Sequence, residues 1–191
     1  MEIDITTLEK INVIDSCSIW NIISSGILLS ASLNSKCCFS ITKFVEYECL
    51  FKKRSDFKVS EVELKNKLKA LLTKQSFNSY PLNISDLQEI ELLRNRKNLG
   101  LGELSSIAFA KRTSQSFFTD DQGARKFAKE VLGSSKVQTT PHLYGWLLFN
   151  QYLNESDLKQ ILIEHNLNNR PLEKYFREAH QECLRIKLIL R

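Results

Sequence analysis

Proline and glycine are scarce in this chain, three and six among 191 residues. Folds made of many short strands need both at their turns, so the shortage argues against a sandwich and for long helices. No Cys-x-x-Cys pair occurs, and the five cysteines (Cys17, Cys37, Cys38, Cys49, Cys183) are odd in number. The three histidines (His142, His165, His180) have no ligand spacing relative to them, which argues against structural zinc. Free thiols in a reducing cytoplasm are the expectation. Also missing are G-x-S-x-G, a P-loop and G-x-G-x-x-G, so nothing supports a serine hydrolase or a nucleotide-binding domain. The N-terminus lacks a basic n-region, and the apolar stretch 19–33 is broken by Asn21, several serines and Gly26. It is too short and too polar to span a bilayer, and no membrane partner is expected.

What is present fits one globular domain, with 42% hydrophobic and 26% charged residues. Net charge is +5, from 27 basic and 22 acidic residues. That mild excess suits a polyanionic ligand without identifying one.

Residues 11–15 read as a buried strand, because a continuous apolar run suits a parallel sheet covered on both faces. Strands are also expected at 37–41, 116–119 and 136–138. Helices are expected at 18–31, from Thr42 to about Lys53, and at 58–75, 85–95, 102–112, 122–132, 141–152, 156–166 and 171–189. In the helix 58–75, Val59, Val62, Leu64, Leu68, Leu71 and Leu72 approximate one face, and Ser60 with Glu63 resembles a capping box. Strands alternating with helices predict an α/β fold, a three-layer parallel sheet flanked by helices. The expected core is about 11–54 and 99–152, with a helical insert over 55–98 and a helical extension over 153–191.

Four carboxylate positions stand out against this pattern. Asp15 closes the first strand, and the pair Asp120-Asp121 closes the third. Ligands of open parallel sheets gather at such strand ends. Glu48 falls among Phe44, Val45 and Phe51 on the apolar side of its helix, whereas Glu46 falls with Lys43 and Lys53 as a solvated residue. Glu103 opens a helix, in line with Ile107 and Ala110. Each has a plainer explanation. Asp15 is a good helix cap, Glu48 suits a buried ion pair, Glu103 complements the helix dipole, and one of Asp120 and Asp121 caps the next helix. Thr139 and Thr140 suit either a cap or a hold on water. Converging carboxylates repel unless cations lie between them, so together these acids predict a divalent-metal site and metal-assisted phosphodiester hydrolysis. Lys97, Lys111, Arg112, Arg125 and Lys126 are candidate contacts to a nucleic-acid backbone.

The chain resembles the PIN domain family. The matching pieces are Val13-Ile14-Asp15-Ser16-Cys17-Ser18, Ile41-Thr42-Lys43-Phe44-Val45-Glu46-Tyr47-Glu48, Leu101-Gly102-Glu103-Leu104-Ser105-Ser106-Ile107-Ala108-Phe109-Ala110, and Phe117-Phe118-Thr119-Asp120-Asp121, with Val137-Gln138-Thr139-Thr140 following. The resemblance covers residues 11–148. The third piece, with its Gly-Glu and Ile-Ala, is similar to a subgroup of prokaryotic members. It implies an acidic pocket binding Mg²⁺ or Mn²⁺ through Asp15, Glu48, Glu103 and Asp120 or Asp121, and endonuclease action on single-stranded or structured RNA, in preference to DNA. Many small prokaryotic members are toxins of toxin–antitoxin pairs, which implies a homodimer and an inhibitory protein partner. The third acid of the family is commonly aspartate and is glutamate here, and the chain is longer than a minimal toxin of this type. Alternatives are a PIN-like scaffold that no longer cuts, and a DNA-cleaving nuclease of a defence or mobile-element system.

Overall fold

The computed structural model describes residues 4–52 and 59–190, with the side chains of residues 59 and 60 left out. The first strand, β1 (Ile11–Ile14), leads into α1 (Ser16–Ser24) and α2 (Gly26–Asn34). These two helices replace the single one expected at 18–31. Ser25 takes an extended conformation between them, its hydroxyl accepts from Leu28 N, and the pair bends by 102°. Then come β2 (Cys38–Thr42), α3 (Lys43–Leu50) and α4 (Val59–Thr73). Next are β3 (Phe77–Tyr80), α5 (Ile84–Arg96), α6 (Leu101–Thr113) and β4 (Ser116–Phe118). The chain continues through α7 (Gln122–Leu132), a 3₁₀ turn, β5 (Val137–Gln138), α8 (Thr140–Phe149), α9 (Asp157–Leu167) and α10 (Glu173–Ile189).

All five strands are parallel, in the order β3-β2-β1-β4-β5. Helices cover both faces, giving three α/β/α layers. The pleat sorts neighbouring residues into two cores. Ile14, Phe39, Ile41, Phe77 and Phe118 join one core with residues of α1, α2, α4, α8, α9 and α10. Val13, Phe117 and Val137 join the other with residues of α5, α6 and α7. Burial on both sides is the reason β1 and β4 read as unbroken apolar runs.

The segment 55–98 is not wholly helical, because it contributes β3. Only Phe77 and Tyr80 carry an apolar signal there, with Asn78 and Ser79 between them. Pairing with β2 in register Phe39↔Phe77 to Thr42↔Tyr80 supplies the order that local sequence does not. Pro81, which cannot donate to a ladder, follows directly. The apolar stripe of α4 belongs to its own chain. Leu64 and Leu68 are buried in the first core, and Leu71 and Leu72 pack against it. Val59, Ser60 and Lys53 lie outside the described side chains, so the expected place of Val59 on that face, the Ser60–Glu63 box and the wheel position of Lys53 do too. The extension 153–191 is part of the same core, through Ile161, Leu162, Phe176, Ala179 and Cys183. No single helix among the described residues is long and apolar enough to cross a membrane.

Arg112 proves to be a structural residue. Its Nε lies 2.6 Å from Asp86 Oδ1 and its NH2 group 3.0 Å from Oδ2, a two-point fork that ties α6 to α5. Asp86 has a fully buried side chain and also accepts from Asn83 N at the start of α5. Lys111, beside it, is ion-paired with Glu89 at 2.8 Å. Both bases sit in the last turn of α6, whereas Glu103 is in its first, roughly 12 Å away along the axis at 1.5 Å per residue. Both are therefore tied to α5 at the end of α6 away from Glu103. Arg112→Ala would leave a buried carboxylate without its counter-charge. A loss of about 2 kcal/mol in a denaturant melt is expected, below the range for sealed pairs because the arginine is partly exposed. Arg112→Lys should recover only part of it, since an ammonium cannot make the fork. An unchanged midpoint for Arg112→Ala would contradict this assignment.

Candidate functional site

The sheet order reverses direction at β1, so the crevice between β1 and β4 lies where an open parallel sheet presents its ligand site. Asp15 and Asp120 flank that crevice. Asp15 N donates to Phe118 O at 3.2 Å, continuing the β1–β4 ladder by one step. The Asp15 side chain caps α1, accepting from Ser18 N at 2.8 Å, and also accepts from Thr119 Oγ1 at 2.5 Å. The capping role is thus real, and it holds the carboxylate at the strand end. Asp15 is almost wholly buried. Burial pushes its pKa up to about 7, and the charge of Asp120 adds to the push, against hydrogen bonds from Thr119 and Ser18 that lower it.

The structure separates the two aspartates that follow β4. Asp120 turns inward and is held by four donations: Asn21 Nδ2 at 2.8 Å, Thr140 N at 2.8 Å, Thr140 Oγ1 at 2.5 Å, and its own N to Ser18 Oγ at 2.8 Å. Asp121 is exposed and caps α7, accepting from Ala124 N at 2.7 Å. The two threonines after β5 divide in the same way. Thr139 caps α8 through His142 N, and Thr140 serves Asp120.

Glu48 and Glu103 enter from neighbouring helix ends. Thr42 caps α3, accepting from Val45 N, and its hydroxyl meets Ser105 Oγ at 2.7 Å, joining the helices that carry the two glutamates. Ser105 and Ser106 both donate to Gly102 O, fixing the first turn of α6. Glu48 Oε1 accepts from Gly102 N at 3.3 Å. A Cβ built on Gly102 would stand 2.8 Å from Glu48 Cδ and nearer still to Oε2, so glycine there makes room for the carboxylate. Glu103 is half-buried, and its Oε2 accepts from Gly100 N at 2.9 Å. Burial raises its pKa, Asp121 and Glu48 raise it further, and the Gly100 amide lowers it. The helix-end role and the inward position thus hold together. Glu46 is elsewhere: it pairs with Lys43 at 2.6 Å and accepts from Ser79 Oγ of β3, so it is tied down rather than freely solvated.

Cys17 reports on the three aspartates at once. Although its outer edge is exposed, partial burial pushes its thiol up to about 12, with Asp15, Asp120 and Asp121 adding to the effect and Arg170 opposing it. Among the described residues, none of the five acids forms an ion pair with a lysine, arginine or histidine. The donor set is all carboxylate oxygen, which suits a hard divalent ion such as Mg²⁺ or Mn²⁺. The positions are less convergent than the chemistry. Asp15 interacts with Asp120, and Glu103 with Glu48 and Asp121, but no three acidic, histidine or cysteine side chains gather around one point among the described residues.

Of the basic candidates, Arg125 is one turn into α7, with its N bonded to Asp121 O at 2.9 Å. Lys126 follows it, and Lys97 ends α5 just before the Gly100 turn. These three share the carboxylate end of the sheet. Ser18 and Asn21, which hold Asp120, are not singled out by the sequence reading; the signal for them is a polar pair three residues apart on apolar α1. Comparisons with protein-family models, with curated proteins and with solved structures find no match.

Proposed function

We propose that this chain is a divalent-metal-dependent endonuclease that hydrolyses phosphodiester bonds, with RNA as the first substrate to try. One observation carries the reading: Asp15 is buried at the switch point beside Asp120, with its pKa raised and no cation paired to it among the described residues. Capping α1 would be served as well by an uncharged serine or asparagine, so two carboxylates set side by side without a cation favour a ligand that supplies one. Asp15, Asp120, Glu48 and Glu103 are the residues that would hold Mg²⁺ or Mn²⁺, and Asp121 adds negative charge at the rim. A bound divalent ion supplies activated water and neutralises charge on the phosphate. Thr119, Thr140, Asn21 and Ser18 fix the orientation of the two aspartates, and the Gly102 slot fixes Glu48. Lys97, Arg125 and Lys126 offer positive charge to the nucleic-acid backbone. A toxin role, a homodimer and an inhibitory protein rest on the resemblance alone: the apolar stripe of α4, expected to be buried on its own domain, in a homodimer or against a partner, has Leu64 and Leu68 buried in its own chain and Leu71 and Leu72 packed against the same core. A cytoplasmic setting belongs to the same reading, in keeping with five free cysteines.

A second reading, a nucleic-acid-binding scaffold that does not cut, is favoured by the lack of three gathered ligands among the described residues. Incubating the purified chain with end-labelled single-stranded RNA and DNA, in Mn²⁺ and in chelator, separates the two. Cleavage in Mn²⁺ that stops in chelator is expected. Glu48→Ala should remove it, and Glu46→Ala should leave most of it, because Glu46 belongs to the Lys43–Ser79 contact. Equal loss in both variants, or no cleavage by the wild type, would overturn the assignment.

A further inference from the structure

The acid site has an aromatic shelf beside it. Tyr47 and Phe51 are 56% and 62% exposed, large values for rings. They stack on each other, with centroids 6.4 Å apart and planes 23° apart. Tyr47 adjoins Glu48 in α3, and Phe51 follows Glu48 by three residues at the helix C-cap. At 100° per residue, Tyr47, Phe51 and Glu48 fall within a sector of roughly 100°. Glu48 reaches from this sector to Gly102, which sets the two rings next to Glu48 on the surface of α3. Lys43, one turn before Tyr47 and paired with Glu46, and Lys52, next to Phe51, are exposed at either side.

We infer that Tyr47 and Phe51 form a stacking platform for an unpaired base of single-stranded nucleic acid, whose phosphate enters the site at Glu48. The inference rests on the nuclease reading and deepens it by naming the two residues that would hold a base of the single strand the resemblance implies. A ring face accepts any base, and flanking ammonium groups suit the phosphates on either side, which is the usual chemistry of single-strand binding. A duplex keeps its bases stacked inside and offers nothing to these rings. A second protein copy fits less well. Two aromatic side chains exposed by little more than half present roughly 200–300 Å², against about 800 Å² per partner in a standard interface.

Fluorescence anisotropy in chelator, with a labelled single-stranded oligonucleotide containing 2-aminopurine and with the same strand annealed to its complement, tests this. Phe51→Ala should weaken single-strand binding about fivefold to a hundredfold and abolish the 2-aminopurine quench. Phe51→Trp should restore both, and the weaker duplex binding should not change. Since both rings are largely exposed, the alanine variants should melt as the wild type does. Equal single-strand affinity for wild type, Tyr47→Ala and Phe51→Ala would overturn the inference. So would a fall in scattering mass in Phe51→Ala, which would make the rings a contact between copies. Ring-dependent binding without cleavage in Mn²⁺ would keep the platform and sink the nuclease. Cleavage and binding that ignore Phe51→Ala would do the reverse.

Discussion

Asp15→Asn should abolish metal-dependent cleavage and, in chelator, make the protein more stable above neutral pH. The activity loss is expected at about 10²–10³-fold or more, because on the proposed reading Asp15 is the acid that closes β1 beside the switch-point crevice. The stability gain follows from proton linkage. In the unfolded chain Asp15 titrates near 3.8, and in the folded protein near 7. Between those values the folded state holds a proton that the unfolded state has released, so stability falls as pH rises and the full deficit is present above about 7. Asparagine cannot ionise, and it still caps a helix well. The gain is on the order of 2–4 kcal/mol from a shift of this size, or several degrees in melting temperature for a chain of this length. Melting scans of wild type and Asp15→Asn from pH 4 to 8 should coincide at the acid end and diverge towards pH 8. Parallel curves would show that Asp15 carries no buried charge.

Gly102→Ala is expected to remove activity through Glu48. The added methyl would occupy the place of the Glu48 carboxylate, which must swing away from the Gly102 amide. A displacement on the order of 1 Å at a reacting centre costs about a hundredfold in rate. Stability should hardly suffer, because Gly102 lies in the first turn of α6 and the group in the way of the methyl is the end of a flexible side chain. Gly100→Ala is the control: its Cβ would meet Glu103 Oε2 at 3.5 Å, ordinary contact, and activity should survive. Combining Gly102→Ala with Glu48→Asp shortens the crowded side chain and should recover part of the rate. Full activity in Gly102→Ala would show that Glu48 need not occupy its slot.

The features visible in the sequence are those that burial makes unavoidable. Strands covered on both faces need uninterrupted apolar residues, so β1 and β4 announce themselves, and an acid closing each is conspicuous. β3 is an edge strand with two aromatics and two polar residues, and its partner β2 completes it. The choice between Asp120 and Asp121 depends on Asn21 and Thr140, which lie far away in the chain. The bases at the end of α6 read as candidate backbone contacts because a helical wheel shows the face of a residue and not the end of the helix, and it does not show ion-pair partners. The partner of Arg112 is Asp86, 26 residues earlier. The slot for Glu48 was hidden in the motif: Gly102 next to Glu103 reads as a helix start, and only the packing of α3 against α6 shows which carboxylate it admits.

The central claim is that these acids act together on a divalent ion, and calorimetric titration with Mn²⁺ tests it most directly. Wild-type protein should bind Mn²⁺ more tightly at pH 8 than at pH 6, with a buffer-dependent heat that reports release of the Asp15 proton. Asp15→Asn should show no binding at the same concentrations. Absence of Mn²⁺ binding by the wild type, or equal binding by Asp15→Asn, would contradict the claim.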